Sequence, residues 1–345
     1  MKKIILIISC TFFALLVVYA QSAKCQFGLI KYKGKIREYP ITMFLTFYPG
    51  GSYSGYYYYD NSGQLFQIEK GEKLNTLMSF PIEQYPTKNK NAEDKELFAF
   101  VDTLSSDLMQ HTGTWKKGNR TLPFLLNKDS SQMEWKYFSN SKKGRCEDEY
   151  FTSSEETISL VYPSIQSSKI LNECILTKFI SDKPLIQYLN STSSYHTVIY
   201  EDIEKFCTGF WETFLQGDVV FYTDSVLTYR LKSFTYANNG DSYDYMISMK
   251  ISSGKILTYE DMFKINTIDS VLSILKNKYK KIILEETDEY NTIDMIDKSS
   301  NIYVAPNGIY FSNRFYKLAP FVHLFMSFKE LEDFLNEDFK NLIKI

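Results

Sequence analysis

Chemistry-bearing residues are scarce in this chain. Its 3 histidines, His111, His196 and His323, are scattered over different segments, and neither a Gly-x-Ser-x-Gly elbow nor a His-Glu-x-x-His pair occurs. Those absences argue against a nucleophilic triad and a helix-borne zinc pair. Of the 5 cysteines none forms a Cys-x-x-Cys motif or a Cys/His cluster, which leaves a sulfur-based zinc site without support. A long basic run is also missing: 39 Lys plus Arg stand against 41 Asp plus Glu, a net charge of −2. A nucleic-acid binder, whose affinity rests on cations neutralising phosphates, is therefore set aside. No metal or cofactor is expected.

What the chain does have is length and apolar content. Its 345 residues are 44% hydrophobic, enough for about two domains with real cores and too much for a disordered chain. Lys2 and Lys3 precede a mostly apolar run from Ile4 to Val18 that closes on Val18-Tyr19-Ala20 before the polar Gln21-Ser22. This is the layout of a secretory signal peptide at 1–20, with cleavage expected after Ala20. A retained anchor is the competing reading, but the run falls short of the roughly 20 apolar residues that span a bilayer. Lipid modification at Cys25 is disfavoured because Lys24 stands where a small residue is wanted. After cleavage, 37 basic groups face 41 acidic ones, a charge of −4, and no further segment is long enough to span. The expected location is periplasmic or extracellular.

From 21 to about 128 the chain reads as strands and turns. Ile41, Met43, Leu45 and Phe47 alternate with Thr42, Thr46 and Tyr48, the period of a half-buried strand. Tyr56 to Tyr59, the turn Asp60-Asn61-Ser62-Gly63 and Leu65 to Ile68 predict a hairpin, and Thr112 to Trp115 with Leu122 to Leu126 predict another. The first domain is expected as an antiparallel β meander. Lys88 to Glu96 is read as a loop. The polar stretch 129–149 is read as a linker, and an α+β domain with helices packed on a mixed sheet is expected over 150–345.

Within that second domain, Thr157 to Tyr162 predicts a strand ending at Pro163. Leu171, Cys174, Ile175 and Phe179, then Ile199, Ile203, Phe206, Cys207, Phe210 and Phe214, recur at helical spacing and predict two amphipathic helices. Strands are expected at Val219 to Tyr229 and Tyr243 to Ile251. Thr258-x-x-Asp261 is a capping signal, extended by a helix through Val271 to Leu284. Asn301 to Val304 and Ile309 to Ser312 predict a hairpin, and Val322 to Met326 a last strand. Ser327-x-x-Glu330 opens one final helix carrying Leu331, Phe334, Leu335, Phe339 and Leu342 on its packing stripe.

Cys25, Cys146, Cys174 and Cys207 remain after signal cleavage, an even number compatible with two bridges in an oxidising compartment. Cys174 and Cys207 lie on inward faces of the two expected helices and are disulfide candidates, with adjacent buried thiols as the rival. Tyrosine is abundant: 27 Tyr against 26 Phe and 3 Trp. Tyrosine gives contact area at low entropic cost, so Tyr56, Tyr57, Tyr58, Tyr59 and Trp115 are the candidate binding residues. Core and sheet-covering roles are the plainer alternative, since strands favour aromatics anyway. Asp241 with Asp244 and Glu155 with Glu156 are carboxylate pairs in principle suited to glycan hydrolysis. The first pair is read instead as turn chemistry. Asp60-Asn61-Ser62-Gly63 lacks the distal glutamate of a calcium loop.

Three segments together carry a resemblance: Gly254-Lys255-Ile256-Leu257-Thr258-Tyr259-Glu260-Asp261-Met262-Phe263, Asn307-Gly308-Ile309-Tyr310-Phe311, and Tyr316-Lys317-Leu318-Ala319-Pro320-Phe321. In this order they resemble the C-terminal domain of the RsiV and PdaC group, with its G-K-x-L-x-x-x-D-x-F element, glycine-containing strand and Y-x-I-A-P-Y strand. The likeness covers roughly 150–345. Two features depart from it: Ala237-Asn238-Asn239-Gly240-Asp241 replaces a Gly-Gly-Ala-His turn, and no glycine loop follows Phe321. The first domain looks like β modules that precede this family in secreted bacterial proteins. The resemblance implies a binding role, with a protein ligand such as lysozyme or a cell-envelope glycan as partner. A cell-wall glycan enzyme or its accessory domain is the alternative, though no deacetylase metal motif occurs. A structural surface protein is the third reading.

Overall fold

The computed structural model describes residues 28–48, 53–70, 76–81, 98–104, 108–130, 135–144, 154–163, 211–236, 241–286, 296–298, 300–312 and 323–344. The first eight strands run up and down in chain order: β1 (Gly28–Ile36), β2 (Tyr39–Phe47), β3 (Tyr53–Tyr59), β4 (Leu65–Lys70), β5 (Thr76–Pro81), β6 (Phe98–Leu104), β7 (Gln110–Lys117) and β8 (Arg120–Lys128). Each pairs antiparallel with the next, and β8 returns to β1 from Tyr32↔Lys128 to Ile36↔Phe124, so the meander closes into a barrel. Closure removes the unpaired edges an open meander would leave. Gly34 sits at the closing seam, where a Cβ would come 2.0 Å from the Leu125 carbonyl oxygen, so only glycine allows β1 and β8 this approach.

Alternation decides what fills the barrel. Ile30, Tyr32, Ile36, Ile41, Met43, Leu45, Tyr57, Phe66, Phe100, Phe124 and Leu126 point inward as one buried cluster. On β8 the pattern is clean: Leu122, Phe124 and Leu126 are buried, while Thr121, Pro123 and Leu125 face solvent. On β2 it is not, because Thr42, Phe44 and Thr46 on the outward face are buried as well.

The cover is a second sheet. β9 (Trp135–Gly144), β10 (Ser154–Pro163), β11 (Trp211–Tyr222), β12 (Val226–Tyr236) and β13 (Asp241–Lys250) make five strands in the order β13-β12-β11-β10-β9. The sheet is mixed: β10 runs parallel to β11 and the other neighbours are antiparallel. Parallel neighbours need a connection of about a dozen or more residues, and 164–210 separate β10 from β11 in the chain. Leu29, Phe44, Tyr56 and Leu65 from the barrel wall share one buried cluster with Val219, Val220, Phe221, Tyr222 and Tyr229 of this sheet. Phe44 lies 5.2 Å from Tyr222 between ring centroids, and Tyr58 6.0 Å from Phe221.

The remainder comprises α1 (Tyr259–Met262), α2 (Ile268–Glu286), the three-stranded sheet β14 (Asn301–Ala305), β15 (Gly308–Ser312) and β16 (His323–Ser327), then α3 (Phe328–Leu331) and α4 (Glu337–Ile343). The described residues are mostly β with few helices. Both capping signals act as their spacing requires: Asp261 accepts from the Thr258 backbone N–H at 3.1 Å, and Glu330 from the Ser327 N–H at 2.8 Å. Tyr303 and Tyr310 are register partners and stack at 5.1 Å, which fixes the β14–β15 pairing from its buried face.

Four local expectations are corrected. The helical spacing ending at Phe214 does not hold to its end, because Trp211 to Phe214 lie in β11, paired with β10 and β12; long-range pairing overrides a local period. The polar stretch read as a linker contains β9, in continuous register with β10 from Trp135↔Pro163 to Gly144↔Ser154, since pairing uses backbone groups and tolerates polar side chains. Asp241 and Asp244 belong to β13 rather than a turn. The last helix is two: α3 ends at Leu331, Leu335 bridges to Phe263, and the Asn336 side chain accepts from the Phe339 N–H at 2.7 Å, starting α4 afresh. The other expected helix, Cys174 and Cys207, and the Lys88 to Glu96 loop lie outside the described residues, as do the signal segment and the Phe321 segment.

Candidate functional site

An up-and-down barrel sends alternate turns to the same end. At one end lie the β1–β2 turn with Arg37 and Glu38, the β3–β4 turn from Asp60 to Gln64, and the β7–β8 turn with Gly118 and Asn119. They surround an open bowl of about 480 Å³ lined by Tyr39, Pro40, Tyr59, Asn61, Ser62, Trp115, Arg120 and Leu122. Its volume lies within the roughly 300–1,000 Å³ of small-molecule sites. Trp115 and Leu122, cross-strand partners and both buried, make the floor. Beneath them the described side chains fill the interior, with Tyr57 stacked on Phe66 at 4.8 Å and edge-on to Phe100 at 5.1 Å. The bowl is therefore shallow.

Its walls are held from two sides. Tyr39 meets Tyr59 edge-to-face at 6.3 Å, and Tyr59 in turn sits 5.8 Å from Phe66. Burial pushes the Tyr59 phenol up from its ordinary pKa, while a hydrogen bond with Tyr57 and the nearby charge of Arg120 pull the other way. The β3–β4 turn is tied to the barrel, Asp60 N–H donating to the Pro40 carbonyl at 3.0 Å and Thr42 Oγ1 to Asp60 Oδ1 at 2.9 Å. It is also tied to the C-terminal sheet: Asn307 Nδ2 donates to the Asp60 carbonyl at 3.1 Å. Gly63 has φ +68°, and a Cβ there would meet the Asn307 Cβ at 2.5 Å, so the turn and the β14–β15 turn approach as closely as glycine permits.

A second, smaller cavity of about 210 Å³ lies in the seam between the barrel and the five-stranded sheet. Asp218 and Arg230 face each other across β11 and β12, and both are buried. Tyr48 Oη donates to Asp218 Oδ1 at 2.6 Å. Arg230 Nη1 donates to Tyr56 Oη at 2.8 Å and to Gln67 Oε1 at 2.7 Å. Buried charges require such partners, so each of these two charged groups is matched by hydrogen bonds with the barrel wall. Nearby, Lys31 Nζ lies 5.0 Å over the Tyr222 ring and 3.6 Å from Asp129. Burial and the Lys33 charge lower its pKa, with Asp129 opposing them.

The tyrosine run divides between these environments. Tyr57 and Tyr59 belong to the barrel interior, Tyr56 and Tyr58 to the seam. Tyr56 and Tyr57 are buried, Tyr59 and Trp115 line the bowl, and Tyr58 is half-buried against Phe221. The structure thus brings Tyr59 and Trp115 together and directs Tyr56 and Tyr58 elsewhere. His111 is buried against Phe124 at 5.1 Å, and His323 Nδ1 shares a 3.0 Å hydrogen bond with Tyr303 Oη. Tyr39, Asn61, Ser62 and Arg120 were not singled out in the sequence as binding residues; their common signal is proximity to turns at one end of a barrel, legible only once closure is known. Arg230 and Asp218 carry no local signal at all. Among the described residues, no group of three or more His, Cys, Asp or Glu side chains is placed to hold a metal, and no helix is long and apolar enough to cross a membrane.

No family model and no curated protein matches the chain. Among solved structures it is similar to a member of the DUF3298 family from Bacteroides fragilis, at 14% identity over 62% of this chain and 98% of that one, with a TM-score of 0.44. It is also similar to a DUF3298 family protein from Pseudomonas aeruginosa, at 13% identity over 61% and 97% of the two chains, with a TM-score of 0.42.

Proposed function

We propose that the chain is a secreted or periplasmic, non-catalytic binding protein whose ligand contact is the bowl at the barrel mouth. The observation that supports this reading is the lining itself. Three aromatic side chains, an amide, a hydroxyl and one guanidinium converge on an open concavity, which is a set of contact and hydrogen-bonding groups rather than a proton-transfer pair. Under the same reading the C-terminal region is related to the RsiV and PdaC domain, with helices covering its mixed sheet, and the partner is a lysozyme-like protein or an envelope polymer.

The test is direct binding of the intact protein to lysozyme and, separately, to soluble peptidoglycan fragments, with Tyr39→Ala/Arg120→Gln as the control. Saturable binding to either, weakened at least about tenfold in the double variant, is expected from loss of one charge-assisted contact and one ring. Binding unchanged in that variant would remove the bowl from the reading. Turnover of the fragments abolished by a carboxylate substitution would replace it with an enzyme.

A further inference from the structure

The charge around the mouth is uneven. Among the described residues, the strand ends and turns that frame it carry Lys35, Arg37, Lys116, Lys117 and Arg120 against Glu38 and Asp60. Both acids are engaged: Glu38 by Arg37 at 3.1 Å and Asp60 by the Thr42 hydroxyl at 2.9 Å. Of the basic groups, Arg120 alone lines the bowl. A ligand entering here meets an anion-favouring rim, with a guanidinium whose planar fork suits a carboxylate.

The floor and walls narrow the ligand further. The interior below Trp115 is filled, so an acyl chain finds no depth to enter, whereas a single flat-faced ring fits a shallow bowl between Tyr39, Tyr59 and Trp115. Asn61 and Ser62 add a donor-acceptor pair at the wall. An aromatic acid would leave both idle, while ring hydroxyls would use them. We infer that the bowl takes a sugar ring bearing a carboxylate, its apolar face on the aromatic side chains, its hydroxyls toward Asn61 and Ser62, and its carboxylate on Arg120. The bowl opens to solvent, so the glycosidic bonds of an acidic polysaccharide continue out of it. This rests on the bowl being the binding site proposed above.

The experiment titrates the intact protein with three probes: a tetrasaccharide of alternating glucuronate and N-acetylglucosamine, the same tetrasaccharide with its carboxylates reduced to alcohols, and 4-hydroxybenzoate. Ligand-observed NMR reads the binding. The acidic tetrasaccharide is expected to bind about tenfold more tightly than its reduced form. Arg120→Gln, at an exposed position, should weaken the acidic probe about tenfold and so abolish that preference, and Tyr39→Ala should weaken both probes. Equal binding of acidic and reduced probes, sensitive to Tyr39→Ala, would overturn the carboxylate assignment and leave the bowl as a binding site. Binding of 4-hydroxybenzoate alone would overturn the sugar and also leave the bowl. Binding by none of the three would overturn this inference, while lysozyme or peptidoglycan binding lost in the double variant would still uphold the site.

Discussion

The two outward faces of the barrel make the instructive comparison. β2 and β8 have the same inward alternation, Ile41, Met43 and Leu45 in one, Leu122, Phe124 and Leu126 in the other. Their outward faces differ completely: Phe44 is fully buried, whereas Leu125 is 49% exposed. The difference lies in what comes later in the chain, since β11 and β12 cover the first wall and not the second. An outward apolar residue on a barrel is thus a surface residue or a core residue according to a partner more than a hundred positions away.

The sharpest way to break the comparison is Phe44→Ala. It should destabilise the protein by about 3–5 kcal/mol in denaturant unfolding, because it empties a site packed from both the barrel and the sheet. A loss below about 1 kcal/mol would mean that the sheet does not cover this wall in solution. Arg230→Ala comes next, at about 2–4 kcal/mol: it strips Tyr56 and Gln67 of their donor and leaves Asp218 buried without its cross-strand cation. Unfolding by two probes, one reporting on the barrel and one on the C-terminal sheet, should separate into distinct transitions if this seam is what couples them.

An alkaline titration sharpens the same contrast. Burial in the seam, partly offset by the hydrogen bond with Thr42 and reinforced by Asp60, pushes the Tyr58 phenol up to about 12. The folded value lies above the unfolded value of about 10. The neutral phenol's contribution is therefore fully present below pH 10 and is lost as pH rises toward 12, on the order of 2 kcal/mol. Tyr259, also raised by burial and by Asp297, acts in the same direction. Tyr58→Phe should flatten the fall measured by chemical denaturation between pH 9 and 12, and an unchanged slope would count against burial at this position. The smallest effect belongs to the exposed wall: Leu125→Ala should stay within about 0.5 kcal/mol of the parent protein.

Much of the fold was legible where it depends on neighbours in the chain. The strand at Ile41 to Phe47, the Asp60 to Gly63 turn, the Ala305 to Gly308 turn and the capping residues Thr258 with Asp261 and Ser327 with Glu330 each act over a few residues, and each forms, although β2 is buried on both faces rather than half-buried as its period suggested. Phe214 and Asn336 show the limit. Helical spacing ran through both, yet strand pairing claimed the first, and at the second a side-chain cap starts a new helix after α3 has ended at Leu331. The binding candidates were legible only as a composition. Trp115 and Tyr59 line the bowl, but the residues that complete it were inconspicuous because nothing local marks them as neighbours.

Period, turn and cap are set by sterics and hydrogen bonds between residues close in sequence, so the amino-acid sequence by itself determined β2, β3, β4, β7 and β8 of the meander, the β3–β4 turn, and the starts of α1 and α3. Only the tertiary structure decided that β8 closes on β1, that Tyr56 and Phe44 lie in a core while Leu125 does not, and that Tyr39 and Arg120 share a mouth with Trp115. These depend on pairings and burial between distant segments, whose free energy comes from area removed from water when two surfaces meet and is therefore a property of neither segment alone.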